Sequence, residues 1–152
     1  MFGQRAFTMI ELLVVLAVLA VLATLVAPSF NDQIWQRRLE GVSTDLSTDL
    51  QFARTQAVDD RATVRVITSN GGARYVIRNA ANVDLKTVDL PAGITATDAV
   101  TIAYDQLRGT SNAQQILVQS ARTPAQLRVD TNIMGRVSIC APNPVLKGYS
   151  PC

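Results

Sequence analysis

Ala6-Phe7-Thr8-Met9-Ile10-Glu11-Leu12-Leu13-Val14-Val15-Leu16-Ala17-Val18-Leu19-Ala20-Val21-Leu22-Ala23-Thr24-Leu25-Val26-Ala27 is the stretch around which the chain is organised. From Phe7 to Ala27 only Thr8, Glu11 and Thr24 are polar. At about 1.5 Å per helical residue the run reaches roughly 31 Å, the thickness of the hydrocarbon core of a bilayer. It reads as a membrane-spanning helix. Its one ionisable residue, Glu11, would cost a few kcal/mol as a bare carboxylate in lipid, so it calls for a cationic partner. Arg5 lies on the cytoplasmic flank by the positive-inside rule and is not the natural one. Cleavage just before Phe7 would supply another, an N-terminal ammonium one helical turn from the carboxylate.

After a short leader with Arg5, Ala6-Phe7-Thr8-Met9-Ile10-Glu11-Leu12-Leu13 closely resembles the class III signal of type IV prepilins and type II secretion pseudopilins. The resemblance implies removal of residues 1–6 by a prepilin peptidase, with cleavage between Ala6 and Phe7 and N-methylation of Phe7. Glu11 falls at the fifth position of the mature chain, where the family carries its Glu. Pro28 falls where many of these helices carry a kinking Pro. The family usually has Gly before the cut, and Ala6 keeps that position small. Without the resemblance, the same run reads as a signal anchor or a secretory signal peptide. For the latter, Ala23-Thr24-Leu25 and Leu25-Val26-Ala27 offer only weak cleavage sites.

Less the leader and the membrane segment, about 120 of the 152 residues remain, enough for one compact domain. A net charge of +2 is too mild to argue for nucleic acid by itself. The absence of His removes the commonest general base and metal ligand, so catalysis is disfavoured and no cofactor or metal is expected. Asp59-Asp60 sits where a helix should end, and Gly71-Gly72 lacks the Lys and following helix of a phosphate loop. The two cysteines, Cys140 and Cys152, would be oxidised beyond the inner membrane and are expected to pair. Free thiols or half of a metal site are the alternatives, and no further Cys or His exists to complete a tetrahedral set.

Beyond Pro28 the helical pattern becomes one-sided. Phe30, Ile34, Leu39, Val42, Leu46, Leu50, Ala53 and Ala57 recur at steps of three to five, while Arg37, Arg38, Glu40, Asp45 and Asp49 mostly fill the other faces. One long helix from Phe7 to about Asp59, kinked near Pro28, is predicted. Seven short strands follow: 63–68, 74–78, 85–90, 100–104, 115–119, 126–130 and 136–140. Ser69-Asn70-Gly71-Gly72 turns the first hairpin, Pro91-Ala92-Gly93 stops the third strand, and Thr110 to Ala113 reads as an exposed loop. The fold class is therefore α+β, with a long N-terminal helix on an antiparallel β-rich head. The organisation is leader 1–6, transmembrane and assembly helix 7–27, amphipathic half 28–60, and head 61–152.

Leu46 to Thr63, with Ala53-Arg54-Thr55-Gln56-Ala57 at its centre, looks like the helix end of the GspH/FimT group of minor pilins, and the whole is type IV pilin-like. Looser echoes continue through Leu90-Pro91-Ala92-Gly93-Ile94, Ile102-Ala103-Tyr104 and Gly135-Arg136-Val137-Ser138-Ile139-Cys140. The resemblance implies a structural subunit that assembles with other major and minor pilins through an inner-membrane assembly platform. Its helix would pack in a filament core, with Glu11 taking the N-terminal ammonium of a neighbour. A type II secretion pseudopilin is a second reading. The third is a DNA-binding pilin of the FimT branch, which uses Gly, Arg, any residue, Arg near the C-terminus. Here Gly135-Arg136-Val137-Ser138 keeps the first Arg and replaces the second. From residue 100 onward five cations oppose two carboxylates, a local excess of +3, so Arg136, Lys147 and Arg128 are the candidate DNA contacts.

Overall fold

The structure, a computed structural model, describes residues 8–142 and 146–152, with the side chains of 24–30 left out. Ala6 and Phe7 lie outside the described residues, and at Pro28, where a kink is expected, the backbone belongs to the helix while the side chain is outside the description. The chain divides into two compact units, Met1–Ile34 and Trp35–Cys152. A single helical element, α1 (Met9–Asp59), runs through both.

In the first unit, Thr8 caps α1. Its Oγ1 accepts the Glu11 backbone N–H at 3.3 Å, which answers one of the donors that a helix start leaves without a partner. From Met9 to Leu22 the large apolar side chains are all at least 50% exposed. Among the described residues no helix is long and apolar enough to cross a membrane, and the described side chains of the apolar run stop at Ala23.

In the second unit the predicted stripe is the buried face of the helix. Leu39, Leu46, Leu50, Ala53 and Ala57 are fully buried, Val42 is half-buried, and Ile34, just outside the unit, is exposed. Asp49 departs from expectation: it is buried, not part of the polar face. At position 49 the helix brings it beside Leu46, Leu50 and Ala53, within reach of the sheet. Ser43 is also buried, and its hydroxyl donates to the Leu39 carbonyl at 2.9 Å. The helix ends on Arg61, whose φ of 50° turns the chain. The Ala62 N–H then reaches the Ala57 carbonyl and the Arg61 N–H that of Val58. Asp60 beside it accepts from Gln56 Nε2 at 2.6 Å.

Eight strands follow among the described residues. β1 (Val64–Ser69), β2 (Arg74–Arg78), β3 (Asp84–Asp89) and β5 (Thr101–Tyr104) form one antiparallel sheet in the order β3-β2-β1-β5. β4 (Ile94–Ala96), β6 (Gln114–Ser120), β7 (Gln126–Thr131) and β8 (Val137–Cys140) form a second in the order β4-β6-β7-β8. Seven of these were predicted to within two residues. The eighth, β4, was missed because it has three residues and follows directly on Pro91-Ala92-Gly93. Period-two alternation sets the inward faces: Val64, Val66 and Thr68 on β1, Ile116 and Val118 on β6, Leu127, Val129 and Thr131 on β7. With the helix stripe, these side chains of both sheets make one core. The edge strand β3 is exposed and charged, and Arg74–Asp89 and Arg78–Asp84 pair across it at 2.6 Å each. Charge of this kind blunts an edge against foreign strands more than it stabilises the sheet.

The two sheets are joined at the first hairpin. Gly72, at φ 79°, offers its carbonyl to the Ala96 N–H at 2.8 Å. At the other edge, Asn112 acts as a strand surrogate: its Oδ1 accepts the Ala103 N–H at 2.7 Å and its Nδ2 donates to the Thr101 carbonyl at 2.8 Å. The segment 110–113 is thus more than an exposed loop, for Ser111 also bridges to Tyr104.

Cys140 and Cys152 form a disulfide with 5.0 Å between their Cα atoms. The segment it closes is tied back by the Ala141 N–H to the Ser150 carbonyl, and Leu146 and Tyr149 pack on the core. Cys152→Ser is expected to lower the stability of the head by on the order of 2 to 3 kcal/mol while leaving the leader cut unchanged. A melting temperature equal to wild type under non-reducing conditions would contradict this.

Candidate functional site

The described chemistry falls in two places. The first is the start of α1. Thr8-Met9-Ile10-Glu11 has the Ser/Thr-x-x-Glu spacing of a capping box, a signal present in the sequence that reading it as a processing motif left unused. The structure shows half of the box, the Thr8 hydroxyl on the Glu11 amide. The Glu11 carboxylate itself is exposed and carries no ion pair among the described residues.

The second place is the head, where two polar constellations tie the helix to strands and loops. Asp49 sits under two donors: the Tyr75 hydroxyl donates to Oδ2 at 2.7 Å and the Lys86 ammonium to Oδ1 at 2.6 Å. Tyr75 lies on β2 and Lys86 on β3, so the contact ties the helix to two neighbouring strands. Burial holds the Tyr75 phenol well above the usual tyrosine range, and the Asp49 hydrogen bond and charge add to the effect. A buried carboxylate held this way is a structural tie, not an acid or base facing a cavity.

Arg54 forms the second constellation. It is half-buried, and its Nε donates to the Gly109 carbonyl at 3.0 Å. Gly135, at φ 71°, packs against the same carbonyl: a Cβ there would lie 2.1 Å from Gly109 O and 3.0 Å from Arg54 Nε. The helix thereby holds two loops, one after β5 and one before β8. Arg54 is a packing element of the head.

Tyr104 lies nearby, fully buried at the end of β5, and burial pushes its phenol up to about 12, with Thr131 and the Arg54 charge pulling the other way. An unfolded tyrosine ionises near pH 10. Because the folded value is higher, the stabilisation is complete below about pH 10 and is lost as the pH rises toward 12. The melting temperature of the chain should therefore hold from neutral pH to about 9.5 and then fall. Tyr104→Phe should make the fall shallower, and an unchanged slope in that variant would count against the argument.

The three candidate DNA contacts lie on β7, in the turn before β8 and in the segment after it. Arg128 is engaged, with Nε 2.8 Å from Asp130 Oδ1 and Nη2 donating to Oδ2 at 2.9 Å. Arg136 is exposed in the turn before β8, where its backbone N–H donates to Asn132 Oδ1 at 2.9 Å. Lys147 is exposed in the segment closed by the disulfide. The register pairs Arg128 with Cys140 and Val137 with Thr131. Arg136 is thus separated from Arg128 and from the start of the Lys147 segment by the length of β8. Among the described residues neither Arg136 nor Lys147 has an ion-pair partner.

Comparison with known proteins gives this arrangement its relatives. The prokaryotic N-terminal methylation motif matches residues 1–27, and the profile of the type II transport protein GspH matches residues 43–135. Among solved structures, the type IV minor pilin FimU of Pseudomonas aeruginosa superposes with a TM-score of 0.60 at 19% identity, over 71% of this chain and 95% of that one. The minor pseudopilin EpsH from the type 2 secretion system of Vibrio cholerae superposes with a TM-score of 0.57 at 14% identity, over 70% of this chain and 98% of that one. At these identities the likeness concerns the fold. No curated protein sequence matches the chain. With the motif at its N-terminus and most of its head inside the GspH profile, the chain belongs to the GspH family of minor pilins and pseudopilins.

Proposed function

We propose that the chain is a minor pilin of a type IV pilus, a structural subunit that primes or joins the filament. Before assembly it is a single-pass protein of the inner membrane with a periplasmic head. Prepilin peptidase cuts between Ala6 and Phe7 and methylates the new N-terminus, and the assembly platform moves the subunit into a filament with other pilins. The observation that carries this reading is the apolar surface of α1, at least half exposed at every large side chain from Met9 to Leu22, with Glu11 in its first turn. Such a surface needs a cover. Lipid provides it first, and the helices of neighbouring subunits afterwards. Glu11 then meets the Phe7 ammonium of a neighbour, and this desolvated pair sets axial register more than it adds net stability. The disulfide-closed C-terminal segment looks more like pilins than like typical secretion pseudopilins, which favours the pilus over the pseudopilus.

Glu11→Ala tests the reading. The variant should reach the membrane and lose its leader as wild type does, while its content in sheared filaments falls at least about tenfold. Normal incorporation would remove the register argument. Loss of protein secretion with intact pili, on deleting the chain, would move it to the pseudopilus.

A further inference from the structure

Trp35 is the single tryptophan of the chain, half-buried at the start of the second unit. Three neighbours hold its ring. Gly93, at φ 86°, comes so close that a Cβ there would lie 2.9 Å from indole Cζ3. Arg38, one helical turn on, places its guanidinium carbon 4.9 Å from the ring centroid, and Arg122, from the turn between β6 and β7, lies at 5.9 Å. Both arginines are exposed, and neither has an ion-pair partner among the described residues.

Two guanidiniums within 6 Å of one ring centroid concentrate positive charge around the indole, and the π system offsets only part of the cost of bringing them together. Positive charge of this kind, without a carboxylate partner among the described residues, attracts an anion. Guanidinium forks match phosphate oxygens in particular, and the ring keeps both forks in one neighbourhood. An indole among arginines, closely following the apolar run in sequence, has the composition of a membrane–water interface. Because Gly93 and the arginines already occupy the indole, it offers no open platform on which a nucleobase would stack.

We propose that Trp35, Arg38 and Arg122 form a binding site for the phosphate of anionic phospholipid headgroups, which ties the head to the bilayer until the subunit is extracted into a filament. The proposal rests on the membrane-anchored reading given above.

Trp35 is its own reporter. The full chain is reconstituted into nanodiscs of phosphatidylcholine alone, or with about one third phosphatidylglycerol, and acrylamide quenching of its fluorescence is measured. Quenching should fall at least about twofold in the anionic discs, as expected for basic side chains held at an anionic surface. The difference should vanish in R38Q/R122Q, and at about 0.5 M NaCl, where the screening length is roughly 4 Å. Equal quenching in both discs, or a difference that survives in R38Q/R122Q, overturns the site while leaving membrane anchoring intact. Failure of the chain to enter either disc overturns the anchoring reading and the proposal with it. Protection of Trp35 by inorganic phosphate in phosphatidylcholine discs makes this a free-anion site, and protection by a short oligonucleotide makes it a nucleic-acid site. Either result replaces the lipid.

Discussion

Gly72→Ala is expected to lower the stability of the head by about 3 kcal/mol or more. A Cβ at this position would lie 1.8 Å from the carbonyl oxygen of Ala96 and 2.9 Å from its carbon, and both are backbone atoms that cannot swing aside. The same residue holds the hydrogen bond between the sheets, from the Ala96 N–H to the Gly72 carbonyl, so any shift that relieves the clash also breaks that bond. A left-handed conformation costs a non-glycine residue about 1 to 2 kcal/mol, the lost bond about 1, and displacing a packed strand about 1 to 3. Ile94 and Ala96 on that strand are both buried, which is why displacement is not free. Gly71→Ala is the control. It shares the turn and a φ of 64°, yet a Cβ there meets nothing within 4 Å, so only the conformational cost should remain. Urea unfolding of the chain in detergent micelles compares the two. Equal losses would show that the joint between the sheets contributes nothing.

Asp49→Ala is expected to cost about 2 to 3 kcal/mol, nearly all of it through Tyr75. With the carboxylate gone, the Tyr75 hydroxyl is buried without its acceptor, a loss of about 1 to 3 kcal/mol. Lys86 is 48% exposed and regains water, so its share of the loss is small. The two side chains act as one unit, which makes the double variant informative. Asp49→Ala with Tyr75→Phe should cost less than the two single changes together, by about 1 kcal/mol, because the second substitution removes the orphaned hydroxyl that the first creates. Strict additivity would mean that the hydrogen bond is not what holds the carboxylate in place.

The legible features of this chain were those with a period or a short span. The stripe Leu39, Leu46, Leu50, Ala53 and Ala57 repeats at helical spacing, and β1 and β7 alternate at period two, so the sequence carries each face by itself. Cys140 and Cys152 were legible because they are the only two cysteines. The cap on Thr8 lay in plain view three residues before Glu11. The Arg128–Asp130 pair, two residues apart on one face of a strand, was equally local. What stayed hidden depends on partners distant in sequence. Nothing near Asp49 announces Tyr75 and Lys86, 26 and 37 residues away. Nothing near Arg54 announces the loop of Gly109, 55 residues on, that folds against it. Arg38 and Trp35 are close in sequence, but Arg122 joins them only through the second sheet.

The order of strands has a bearing on how the head comes into being. β4 lies in the chain between β3 and β5, which belong to one sheet, yet it pairs with β6 in the other. The first sheet therefore cannot be completed without β4 already diverted, and the second begins before the first is finished. Gly72 fastens the two while both are still incomplete in chain order. Neither sheet is an autonomous folding module, so the head should fold and unfold as one cooperative body. Pairing β1 with β5 across that intervening excursion makes formation slower than a run of simple hairpins would be. An all-or-none head leaves no half-folded edge to pair with the wrong neighbour.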